Sequence, residues 1–160
     1  MAQYTQYLLG VGNSMMSDDG IGPAIVDYLA DHYPDIKFGL IDVGGDSLKV
    51  LHYLEEEIEE LLIVDSALMG LDPGEFDIFS PGEVISHKEI GAFSTHAGDV
   101  LKVIETGRRL GYPIPHIRIM GIEPVSLEQG MTLSDTLRWR MPEYARAAIR
   151  ELTRSPCLNH

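Results

Sequence analysis

Cysteine is nearly missing: Cys157 is the single one in 160 residues, which excludes a disulfide framework, a CxxC redox motif and a thiolate metal cluster. Basic residues are scarce as well, 12 lysines and arginines against 25 acids, for a formal charge of -13. That balance argues against tracking a phosphate backbone or lying on an anionic membrane, so neither nucleic acid nor a membrane is an expected partner. No apolar run approaches the roughly 18 residues of a membrane span. The opening Met1-Ala2-Gln3-Tyr4-Thr5-Gln6 lacks the basic and apolar regions of a signal peptide. A cytoplasmic monomer is the expectation.

What is present suits one domain. Hydrophobic residues make up 44% of the chain, enough for a sizeable core without disulfides or structural metal. Apolar runs of strand length alternate with longer helical patterns, the signature of a three-layer αβα domain, residues 1 to 160, with a flexible tail from about 155. Strands are expected at Gln6 to Gly12, Lys37 to Val43, Leu61 to Asp65 and Ile117 to Glu123. Leu61-Leu62-Ile63-Val64 is continuously apolar and should be a central parallel strand buried on both faces. Glu75 to Ser80 follows the Pro73-Gly74 turn and alternates polar with apolar, which predicts an antiparallel edge strand. Helices are expected at Gly22 to Tyr33, Ser47 to about Ile58, Ala97 to Leu110, and Asp135 to about Thr153 with a kink at Pro142. A loop of about 15 residues, Pro81 to Thr95, would carry the chain back from the edge strand.

In open α/β sheets ligands bind beyond the carboxyl ends of the parallel strands. Every such end here carries an acid: Asp18 and Asp19 after the first strand, Asp42 and Asp46 at the second, Asp65 at the third, Glu123 at the last. With His96 at the start of its helix, these form an oxygen and imidazole donor set suited to a divalent transition metal. Any one aspartate after a strand is often only a turn former or helix cap. Asp65 fits that description least well, because it ends an apolar run where a lone carboxylate is costly. Of the adjacent Asp18 and Asp19, one should cap while the other points into the cleft.

Other chemistries lack their signatures. Gly10-Val11-Gly12 begins like a dinucleotide fingerprint, but Met15 stands where the third glycine belongs, so no nucleotide cofactor is expected. There is no Walker lysine, no GxSxG elbow and no HExxH helix. His32, His52, His87, His116 and His160 read as solvated side chains, and Cys157 as a tail residue without a catalytic role.

Gly10 to Pro23, with its GxGNxxxxDDGxG pattern, and Leu61-Leu62-Ile63-Val64-Asp65-Ser66-Ala67 resemble the [NiFe]-hydrogenase maturation protease family. Asp42-Val43-Gly44-Gly45, Met69 to Glu75, Ser94-Thr95-His96 and Gly121-Ile122-Glu123-Pro124 resemble later landmarks of that family in order. The first and third segments look closest to its formate-hydrogenlyase-associated branch. The resemblance implies a five-stranded mixed sheet with one antiparallel strand, of the phosphorylase/hydrolase-like kind. It also implies that Asp19, Asp65 and His96 are both the catalytic and the metal-contacting residues, and that the metal is nickel carried by the substrate. The implied activity is that of an endopeptidase removing the C-terminal extension of the hydrogenase large-subunit precursor. Ser66 stands where the family more often has a small apolar residue, and support of Asp65 is the expected role. A non-catalytic nickel-binding assembly factor and a same-fold peptidase acting on another protein remain as alternatives, as does a resident zinc.

Overall fold

The computed structural model describes residues 3–82 and 95–154. Five strands, β1 (Gln6–Val11), β2 (Gly39–Gly44), β3 (Glu60–Ser66), β4 (Phe76–Phe79) and β5 (His116–Ile122), form one sheet in the order β2-β1-β3-β5-β4. All neighbours are parallel except β4 against β5, so the antiparallel edge strand is where the Glu75 to Ser80 pattern puts it. The helices are α1 (Ile21–His32), α2 (Thr95–Arg109), α3 (Asp135–Trp139) and α4 (Met141–Thr153).

Strand β3 shows why the sheet is covered on both faces. Side chains alternate across a strand, and Leu62 and Val64 pack with α1 and α4 residues such as Ile25, Leu29 and Tyr144. Leu61 and Ile63 pack on the other face with Val50, Leu54, Val100 and Ile104. A continuous apolar run is therefore required here, whereas β4, at the edge, keeps only Phe79 buried. Close approach of α1 to the sheet depends on Gly22: a Cβ there would lie 2.4 Å from the Val11 carbonyl oxygen and 2.5 Å from that of Val64.

Two helical expectations need correction. The segment from Ser47 is a short 3-10 helix ending at Tyr53, not a helix to Ile58. Asp46 caps its start by accepting from the Leu48 amide, and the turn then has to bury Leu54 and Ile58 on the α2 side. Extending the helix would set the like charges of Glu55 and Glu59, and of Glu56 and Glu60, one turn apart, which is unfavourable. The final helix is two helices, broken at Arg140 (φ -92°, ψ 2°). Pro142 has no N–H, and its ring conflicts with the carbonyl four residues earlier, so the sequence breaks the helix where a kink was expected. Most of the expected loop from Pro81 to Thr95 and the tail from 155 lie outside the described residues, as does Cys157. Among the described residues no helix is long and apolar enough to cross a membrane.

Candidate active site

The strand order reverses direction between β1 and β3: the chain leaves β1 for one edge of the sheet, returns to β3 and then builds the other edge. The carboxyl ends of these two neighbours frame the crevice that such a reversal opens. Asp65 is the penultimate residue of β3, and Asp19 lies in the 3-10 turn Ser17–Gly20 that follows β1. Gly12 (φ +134°) lets the first loop fold tightly over them, since a Cβ there would lie 2.0 Å from the Asp19 carbonyl oxygen and 3.7 Å from Asp65 Oδ1. His96, second residue of α2, reaches in from the side.

Asp19 is the hub. Its Oδ2 lies 2.7 Å from His96 Nε2 and accepts from the Asn13 amide at 3.0 Å. Its Oδ1 accepts from the Ser66 hydroxyl at 2.8 Å. The support expected of Ser66 thus goes to Asp19. Asp65 is fully buried, and its charge reaches the imidazole. The three candidate residues, from three distant segments, are therefore brought to one crevice.

The neighbouring acids have other work. Asp18, also fully buried, points away from Asp19 and accepts from the amides of Val125 (2.9 Å), Ser126 (3.4 Å) and Ser134 (2.7 Å) and from the Ser134 hydroxyl (2.8 Å). It ties the first loop to the connection between β5 and α3. The same clasp is completed by Ser17, whose φ of 53° is rare for a residue with a side chain. Its amide donates to Gly130 O and its hydroxyl to Glu128 O. Glu123 accepts from the amides of Met69 and Leu71, so it shapes the loop after β3. Asp46 is the cap already described, and Asp42 is exposed on the α1 side, facing a small cleft with Asp27 and Met131. The expectation of one shared acidic crevice thus narrows to two carboxylates and a histidine. A roomier cavity of about 500 Å³ lies at the amino end of β2, lined by Tyr33, Ile36, Phe38 and Ile149, and holds none of the candidate residues.

The electrostatics favour an ion pair. Burial pushes the Asp19 carboxyl up, but hydrogen bonds from His96 and Ser66, the His96 charge and the Asn13 amide outweigh it and hold the group below the usual aspartate value. The hydrogen bond to Asp19 raises His96 above the usual imidazole value against the effect of burial, and the charges of Asp65, Asp19 and Asp99 add to it. The sign of the linkage follows. The His96 contribution to stability is fully present below its unfolded value and is lost as pH rises through the raised folded one. The Asp19 contribution is present above its unfolded value and is lost as pH falls through the depressed folded one. The pair is strongest between about pH 4 and 6.5. An NMR titration is expected to place the His96 midpoint above about 6.5, with Asp19→Asn moving it down. A wild-type midpoint below that value would refute the pairing. Metal ligation needs the imidazole nitrogen free of its proton, so metal affinity at this site should climb as pH rises through the His96 midpoint.

Among the described residues, no three His, Cys, Asp or Glu side chains already stand together in the arrangement of a metal cage. A divalent transition metal bonded to one carboxylate oxygen and one imidazole nitrogen at about 2.1 Å needs them roughly 3 Å apart. Asp19 Oδ2 and His96 Nε2 stand 2.7 Å apart, so a small opening would fit them to such an ion.

Comparison with known proteins decides the family. The sequence model described as "Hydrogenase maturation protease" matches residues 23–151. The chain belongs to the hydrogenase maturation protease family. The Hydrogenase 3 maturation protease of Escherichia coli K12 is 35% identical over 122 residues, covering 75% of this chain and 73% of that protein. The hydrogenase expression/formation protein HupD of Rhodobacter capsulatus is 29% identical over 147 residues, covering 91% and 70%. Among solved structures, the hydrogenase maturating endopeptidase HybD from E. coli superposes with a TM-score of 0.75 at 26% identity, covering 92% of this chain and 93% of that one. This hydrogenase maturation protease is thus an endopeptidase of the α/β three-layer fold. Asp65 and His96 lie within the matched span, and Asp19 lies just ahead of it.

Proposed function

We propose that this protease removes the C-terminal extension from the precursor of a [NiFe]-hydrogenase large subunit in the cytoplasm, and that it recognises nickel already seated in that precursor through Asp19, Asp65 and His96. The observation that carries the reading is the Asp19–His96 pair beside buried Asp65 at the crevice between β1 and β3. These are hard oxygen and borderline nitrogen donors, without a thiolate to hold a metal of their own tightly. Nickel is in this reading part of the substrate.

The surroundings suit a protein substrate. Met15, Leu48, Leu68, Val125 and Met131 are large apolar residues left between 48% and 75% exposed. All lie beyond the carboxyl ends of strands, on the loops that follow them or, for Leu48, on the 3-10 helix after β2, the same edge as the site. The Met16 to Gly130 bridge sets the segments of Met15 and Met131 side by side, and methionine adapts to irregular apolar partners. Apolar groups gathered at one edge mark an interaction surface.

The test is incubation of purified protein with nickel-loaded precursor, read by mass spectrometry. A large subunit shortened at its C-terminus is expected. Serine- and cysteine-directed covalent reagents should leave the cleavage running, because the serine at the site, Ser66, is fully buried with its hydroxyl donated to Asp19, and no cysteine is among the residues assigned to it. An unshortened precursor, under conditions where an authentic relative processes its own, would defeat the proposal and favour a nickel-binding assembly role.

A further inference from the structure

The two oxygens of Asp19 are held by different parts of the fold. Oδ2 faces the crevice, where it meets His96 Nε2 at 2.7 Å and the Asn13 amide at 3.0 Å. Oδ1 faces the sheet and accepts from Ser66 Oγ at 2.8 Å. Ser66 is fully buried at the end of β3, so its hydroxyl is fixed by the central strand of the sheet, whereas Asp19 sits in the short 3-10 turn after β1. We propose that Ser66 is a positioning residue for nickel recognition: it locks the Asp19 carboxylate in one rotation, so that Oδ2 alone is offered to the metal. Because Ser66 directly follows Asp65 in the chain, one short stretch of strand sets both carboxylates. This inference rests on the reading of Asp19 as a nickel contact.

A carboxylate turns easily about its terminal bond unless both oxygens are engaged. Without the hydroxyl, Oδ1 loses its donor, and the carboxylate is held from one side only, through the His96 and Asn13 bonds to Oδ2, so its rotation is no longer fixed. Partners that orient a metal ligand are worth about 10- to 100-fold in metal affinity. Ser66→Ala removes one oxygen atom and leaves little void, so the domain should stay folded, while Ser66→Thr keeps the hydroxyl.

The experiment compares wild type, Ser66→Ala, Ser66→Thr and Asp19→Asn for binding of nickel(II) ion by calorimetry. The ratio of KM for nickel-free over nickel-loaded precursor and the thermal unfolding midpoint are measured alongside. The expectation is a loss of nickel affinity of at least about tenfold in Ser66→Ala and a KM ratio drawn toward one, with most of both recovered in Ser66→Thr. A purely structural role would lower the unfolding midpoint and leave nickel affinity and the KM ratio alone. Wild-type affinity and KM ratio in Ser66→Ala, with Asp19→Asn impaired, would overturn the positioning role. If Asp19→Asn also behaved as wild type, the nickel reading of the site would fall first. Should Ser66→Thr fail to fold, the comparison of nickel affinity with unfolding midpoint in Ser66→Ala still decides.

Discussion

Asparagine at position 19 is expected to stop precursor processing in a protein that keeps most of its stability, whereas alanine at position 18, one residue away, is expected to destabilise the fold strongly. Asp18 is a buried carboxylate accepting from three amides and one hydroxyl. Alanine there would take the partner from four donors at once, on Val125, Ser126 and Ser134. Hydrogen bonds to a charged group are worth about 1.5 to 3 kcal/mol each, and solvent reaches these part-buried donors in compensation, so a total cost on the order of 3 to 5 kcal/mol is expected. For a chain of this size that is a fall in Tm on the order of 10 °C. Asparagine at 19 keeps the shape of the side chain and can still accept from Ser66, so its effect on stability should be much smaller. What it loses is the negative oxygen facing His96. Changing a residue that merely orients a metal ligand costs 10- to 100-fold, so losing the ligand should lower cleavage by more than about 100-fold. Thermal melts by circular dichroism and timed cleavage of the precursor separate the two aspartates. Normal processing by Asp19→Asn would sink its place in the site, and a wild-type melting temperature for Asp18→Ala would sink the account of the clasp.

That contrast shows what the sequence could and could not reveal. The run ending at Asp65 and the edge-strand pattern of 75 to 80 are local signals, and each maps onto the element it predicts. The cap expected of the Asp18-Asp19 doublet is absent, since no side chain caps the 3-10 turn or α1 and Asp18 is spent on the clasp to residues 125 to 134 instead. A split of roles between the two aspartates was still legible. The targets of those side chains were not. Asp18 reaches residues 107 to 116 positions further along, and Ser66 finds Asp19 across 47. Glu123 turns back to residues 69 and 71. Periodicity and propensity carry no information on such pairings, which depend on how loops from different strands meet at the sheet edge. The short 3-10 segment after Asp46 was missed for a related reason: its length is set by burying Val50 and Leu54 under α2, a tertiary demand that overrides helical preference.

The second large effect concerns whose metal the site meets. Asp19 Oδ2 and His96 Nε2 are bonded to each other, so an incoming ion must replace both a hydrogen bond and a proton on the imidazole. Aqueous metal should therefore be held weakly, and the purified protein is expected to carry far less than one equivalent. Nickel presented by a precursor is different. On the proposed reading it would arrive with its own ligands and in a fixed position, so that the docking surface would contribute to binding at the same time as Asp19, Asp65 and His96. Each 1.4 kcal/mol of such differential affinity is about tenfold in binding, and only a difference between loaded and empty precursor can make the enzyme wait for metal insertion. One or two metal-ligand contacts suffice for a preference on the order of 10- to 100-fold. A resident zinc that activates water makes the opposite forecast: zinc retained through purification and little sensitivity to the nickel state of the substrate. Elemental analysis of the enzyme, followed by parallel cleavage of nickel-loaded and nickel-free precursor, distinguishes them. Equal rates on the two precursors would defeat nickel recognition even if Asp19, Asp65 and His96 all proved essential, because the site would then be reading something that both precursors share.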